Sequence, residues 1–176
     1  MRAAWTVAAI WACCSSVEAA DLGPPIAAAA QGQSQCYAPN TARKTCQSLA
    51  AYKLSTDGTI ENIAIVLISQ SPAITMRTMS PVEIKADQVC GPIRAQDIEA
   101  ASFTVGDHIA DPAQTTLLRQ KMEAAIQGMI GHEVCTAYIP DSGALLAKAT
   151  VDGVPQPTMD QRVIWVSSAD GYRVSP

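Results

Sequence analysis

Six cysteines set the terms on which this chain can fold, and their positions divide them into two groups. Cys13 and Cys14 end an uncharged apolar run near the N-terminus, whereas Cys36, Cys46, Cys90 and Cys135 are spread through the rest. An even set in an exported chain reads as two disulfides, for which three pairings are open. The spacing favours Cys36–Cys46 and Cys90–Cys135. The first closes a tight local loop, CYAPNTARKTC, whose Pro39 and Asn40 suit a turn. The second ties a segment entering one strand to the segment just after a helix, and closing that longer loop stabilises by roughly 3–4 kcal/mol. Structural zinc wants cysteine pairs about two to four residues apart, and no two of these four stand that close, so no metal is expected. A reactive thiol requires one cysteine to be left unpaired.

The disulfide reading depends on export, for which residues 1–20 carry the signal. Met1-Arg2 is a short positive start, residues 3–14 are an apolar run of 12 residues, and Ser15-Ser16 is a polar break. Val17-Glu18-Ala19 then places small residues where a signal peptidase cuts, so cleavage is expected after Ala19 or Ala20. A rival is lipoprotein processing at Cys13, but Trp11 stands where a small residue is usual. The apolar run is shorter than the roughly 20 residues that span a bilayer. No later stretch reaches that length, because 60–68 is broken by Glu61 and Asn62. Arg2 and Glu18 cancel, so the mature chain keeps the formal charge of −4 and has no broad cationic surface for nucleic acid or anionic membrane. The expected destination is the periplasm or the cell exterior.

Residues 21–35 (DLGPPIAAAAQGQSQ) hold prolines, glycines, alanines and glutamines without an aromatic, and read as a flexible linker. A single domain is expected over 36–176. Asp57-Gly58 predicts a hairpin between 51–54 and 60–68, the second strand being apolar on both faces. Further strands are expected over 74–79, where Pro81 stops the run, and over 82–87, where polar and apolar residues alternate. The stretch 98–105 is divided between a helical turn and the strand-like Ser102-Phe103-Thr104-Val105.

A helix is predicted over 112–130. Asp111 is its N-cap, Pro112 its first residue and Gln114 completes a capping box. Leu118, Met122, Ala125, Ile126, Met129 and Ile130 form an apolar stripe, and Gly131 suits a left-handed stop. At about 1.5 Å per residue it runs roughly 30 Å, enough to lie across several strands. Strands over 133–139, 145–151 and 162–166 follow, with a short segment at 172–174. The fold class this implies is α+β: an antiparallel sheet of about six to seven strands packed on that one long helix, with two disulfides.

Motifs for catalysis are absent: no G-x-S-x-G, H-E-x-x-H, phosphate loop or G-x-G-x-x-G. The two histidines are His108 and His132. Asp107 beside His108 is the weak catalytic candidate, while Asp111 is already explained as a cap and His132 suits a helix C-terminus. Met76 and Met79 are core filler rather than soft-metal ligands. Weak binding candidates are Arg43 and Lys44, a positive knob inside the small disulfide loop, and Trp165, a core residue or a stacking platform. Residues 153–159 read as a proline-spaced connector. No cofactor is implied. The expected function is a non-enzymatic binding or structural module of the cell envelope, with an envelope or extracellular protein as a candidate partner. The alternatives are a small secreted hydrolase or an inhibitor that inserts its disulfide loop into an extracellular enzyme.

Overall fold

The computed structural model describes residues 22–23 and 25–176, so the signal peptide expected over 1–20 lies outside the described residues. The order of elements is β1 (Ser34–Tyr37), β2 (Thr45–Cys46), β3 (Ser48–Leu54), β4 (Ile60–Gln70), β5 (Ala73–Lys85), β6 (Gln88–Pro92) and α1 (Ala95–Glu99). Then come β7 (Ser102–Val105), β8 (His108–Ile109), α2 (Pro112–Ile126), β9 (Glu133–Asp141), β10 (Ala144–Val151), β11 (Val154–Pro155), β12 (Gln161–Val166) and β13 (Arg173–Val174).

Eight of these strands form a closed barrel. β1, β3, β4, β5, β6, β9, β10 and β12 each pair antiparallel with the next, and β12 returns to pair with β1 from Ser34↔Val166 to Tyr37↔Val163. The chain meanders up and down around the wall. Tight turns make this possible: Ala86-Asp87, Ser142-Gly143 and Asp152-Gly153 have positive φ at both residues, the twist that two-residue hairpins favour. At the β3–β4 turn, Gly58 has φ +87° and the Thr59 N–H donates to Asp57 Oδ1 at 2.9 Å.

This corrects the expected α+β sheet packed on one long helix. A closed barrel removes the edges of an open sheet and buries its inner face against itself, leaving no broad apolar face for a helix to cover. The helix begins as expected, with Pro112 in its first turn and Asp111 and Gln114 in a capping box, but α2 ends at Ile126 and continues only as a single 3-10 turn, Gln127–Met129. None of its residues is buried. Leu118, Met122 and Ile126 pack on a second small core of Met76, Ile98, Ala101, Phe103 and Ala110, built by the excursion between β6 and β9.

The linker expected over 21–35 is also corrected. Leu22 is 5% exposed and Ile26 fully buried, both packed with Ala29 against Tyr52 and Val89. The 3-10 turn Ala27–Gln31, closed by Gly32 at φ +75°, turns Ala29 into this cluster while Ala27 and Ala30 stay exposed. Leu54, Ile60, Val82 and Ile84 join this cluster from the strand ends beside the β3–β4 and β5–β6 turns, so the N-terminal segment plugs that end of the barrel.

Segments 74–79 and 82–87, expected as two strands, are one strand. β5 runs through Pro81 and is paired with β4 from Ala73 to Val82. Its other edge is shared: Ile74 to Arg77 pair with β7, and Glu83 to Lys85 pair with β6. Pro81 falls in the stretch between, where that edge makes no ladder bond that a proline would break. Gly91 on β6 faces this seam. A Cβ there would stand 3.0 Å from the Pro81 carbonyl oxygen and 3.1 Å from Val82 Cγ1.

Two substitutions test this architecture by urea unfolding. Ile26→Ala should cost about 2–4 kcal/mol, where a free linker would give no change. Gly91→Ala should cost about 1–3 kcal/mol, because its methyl group presses on the backbone of β5.

Candidate functional site

Residues paired across an antiparallel ladder share a face, so the register identifies the barrel lining. The inward positions of several strands carry unusually small side chains: Ala50 on β3, Ala64 on β4, Ser80 on β5, Gly91 on β6 and Ala147 and Ala149 on β10. An eight-stranded barrel is just wide enough for side chains to fill it or for one small ligand to be held. Small side chains here leave a cavity of about 270 Å³ between Ser48, Ala50, Ala64, Gly91, Thr136 and the residues around them. Its floor is the plug cluster, since Tyr52, Val82, Val89 and Tyr138 belong to both. None of the lining residues is an acid, a lysine, an arginine or a histidine.

One wall of the cavity is a cluster of phenols. Tyr37 on β1, Tyr52 on β3 and Tyr138 on β9 turn their hydroxyls toward Oε1 of Gln35, donating to it at 3.0, 2.9 and 3.1 Å. The Tyr37 and Tyr138 oxygens are 2.6 Å apart, and those of Tyr52 and Tyr138 are 3.3 Å apart. Gln35 has no exposed surface, and its Nε2 has no hydrogen-bond partner. Burial, and after it the neighbouring phenols, push the Tyr37 and Tyr52 hydroxyls well above the ordinary tyrosine range. Both are therefore neutral phenols at physiological pH.

Where β5 lacks a ladder partner, α1 is latched to it by a hydrogen bond from Ser80 to a carboxylate of its own ion pair. The Arg94 guanidinium grips the Asp97 carboxylate, with Nε 3.1 Å from Oδ2 and Nη2 on Oδ1. Ser80 donates its hydroxyl to Asp97 Oδ2 at 2.8 Å. Asp97 is 7% exposed, and a buried carboxylate needs such partners. Ser80 also lines the cavity, so the latch borders it.

The residues singled out from sequence stand elsewhere. Asp107 and His108 are exposed on the turn between β7 and β8 and do not line the cavity. Arg43 and Lys44 are exposed as expected, but Lys44 donates to the Asp170 carbonyl at 2.8 Å and so holds the C-terminal segment. Trp165 faces inward opposite Gln35 and packs in the plug core. His132 Nδ1 lies 2.5 Å from Asp152 Oδ2, and this contact, with the Glu133 N–H, holds the Asp152 carboxyl below the usual range. Both expected disulfides, Cys36–Cys46 and Cys90–Cys135, are formed. Cys90, Glu133 and Cys135 bring their ligand atoms within 4.8 Å of one another, but the two sulfurs are joined to each other and offer no thiolate to a metal. Among the described residues no helix is long and apolar enough to cross a membrane.

Sequence reasoning missed Gln35 and the three tyrosines. No residue pattern marked them, because the side of a strand a residue takes becomes informative only when the strand phases are known.

The raised phenols give stability a pH dependence. The unfolded chain releases these protons near pH 10 while the folded chain keeps them, so stability is full below about pH 10 and falls as pH rises beyond it. Urea unfolding from about pH 8 to about pH 11 should show this fall, and Tyr37→Phe with Tyr52→Phe should flatten it. Comparison of the chain with protein-family models, curated proteins and solved structures returns no match.

Proposed function

We propose that this chain is an exported, non-enzymatic binding protein whose barrel holds one small, uncharged molecule. The observation that carries this reading is the cavity of about 270 Å³, lined by phenols, an amide, small hydroxyls and valines, without a charged side chain. Its size lies just below the range of about 300–1,000 Å³ typical of drug-sized ligands, so the occupant is small. An ion would gain no counter-charge from this lining, which favours a neutral occupant. Catalysis is disfavoured by the lining itself: its serines and threonine have no histidine or lysine beside them to take a proton. The two disulfides are what a chain matured in an oxidising compartment carries, and residues 1–20 supply the export signal.

Nuclear magnetic resonance titration of the disulfide-intact protein with small neutral alcohols and ketones tests the reading. Shifts should concentrate at Tyr37, Tyr52, Tyr138 and Thr136, and Ala64→Leu, which fills the cavity, should abolish them while the barrel stays folded. Unchanged binding by Ala64→Leu, or no response at the cavity, would overturn the proposal. The export reading predicts an exported product lacking residues 1–19 or 1–20 and free of titratable thiol, as checked by intact mass.

A further inference from the structure

The phenol cluster has its own proton accounting, and it points to the chemistry of the ligand. Tyr37, Tyr52 and Tyr138 bring three hydroxyl protons to one carbonyl oxygen, Gln35 Oε1. That oxygen has two lone pairs and accepts two of them at full strength. The third proton lies between phenols, where the Tyr37 and Tyr138 oxygens stand 2.6 Å apart. Every proton of the cluster is thus engaged inside it. The Tyr52 oxygen is met by the Asn62 amide, and what the Tyr37 and Tyr138 oxygens still offer to the cavity is lone pairs, which need a donor.

We infer that the ligand enters this end of the cavity with a neutral O–H or N–H donor, as an alcohol, a phenol or a primary amide does. The inference rests on the reading of the cavity as a binding site. The rest of the molecule meets a mixed wall, in which the apolar Val82, Val89, Pro92 and Val134 stand with the polar Ser48, Asn62, Ser80 and Thr136. The ligand is therefore a small amphipathic neutral molecule with its hydroxyl or amide group leading. At the phenol end a ketone or ether of the same shape brings only lone pairs to face lone pairs, and loses the hydration of its oxygen there without replacement. The specificity depends on which end of the Gln35 amide faces the tyrosines. With the amide reversed, Nε2 would donate to the phenols, their own protons would turn to the cavity, and acceptors would be preferred instead.

Cyclohexanol and cyclohexanone separate these cases, since they match in ring size and differ in the donor. Calorimetric titration of the full, disulfide-intact protein should give cyclohexanol an affinity at least tenfold above that of cyclohexanone. Tyr138→Phe should bring the ratio to about twofold or less, and Tyr52→Phe serves as the second variant should the first fail to fold. Equal affinities, or a preference for cyclohexanone, would overturn the donor inference while leaving the binding role of the barrel intact. A protein that responds to neither compound would overturn that role and the inference with it.

Discussion

The hydrogen-bonded ladder between β12 and β1 is the interaction on which the rest depends. It joins the last barrel strand to the first over four residue pairs and converts a meandering sheet into a closed wall. Without it, β1 and β12 would be open edges, and one inner face would have to find another cover. The same ladder sets Gln35 and Trp165 opposite each other on the inner face, and Cys36 and Ile164 on the outer one. The interior site and the exterior disulfide cluster are two consequences of one register, because adjacent strand residues point to opposite sides.

The closed wall is uneven in strength, and the strand beside its weak place is covalently tied on its other side. β6 meets β5 through three residue pairs, ending where Pro81 and Pro92 cannot extend the ladder as donors. On its other side β6 pairs with β9, and there Cys90 stands directly opposite Cys135, joined to it. Across the seam the Arg94–Asp97–Ser80 contacts attach α1 to β5. The other disulfide, Cys36–Cys46, is buried on the outside with Val166 and bears on Leu49, Ile164 and Tyr172. It fixes β2, which in turn holds β13 in a parallel pair, so the C-terminal end is anchored by the same bond that closes the first loop.

A polar cluster inside a barrel is costly unless it is satisfied, and the arrangement around Gln35 engages two hydroxyls at one carbonyl and the third between phenols while leaving Nε2 without a partner. Apolar filling would give a firmer core. Large aliphatic side chains at Ala50 and Ala64 would bury more surface, yet these positions are small and border the cavity. Stability forgone in a core is a feature of sites built to take something in, and it is the physical ground for reading this barrel as a receptacle.

What was legible in the amino-acid sequence was local chemistry. The Asp111–Gln114 capping box, the Asp57-Gly58 turn, the strands after the helix and the pairing of four cysteines all follow from residues near one another or from simple spacing. The inferences that failed concern distant partners. An apolar stripe on α2 says that something apolar lies against it, not that the sheet is open; a chain of alanines says nothing of the Tyr52 and Val89 surface onto which Ala29 and Ile26 dock. Alternation along a strand likewise leaves undetermined which face is the inside. Only tertiary structure decided that, because barrel closure is a long-range condition met by β1 and β12 together, and it alone brings Gln35, Tyr52 and Tyr138 from distant parts of the chain to a single point.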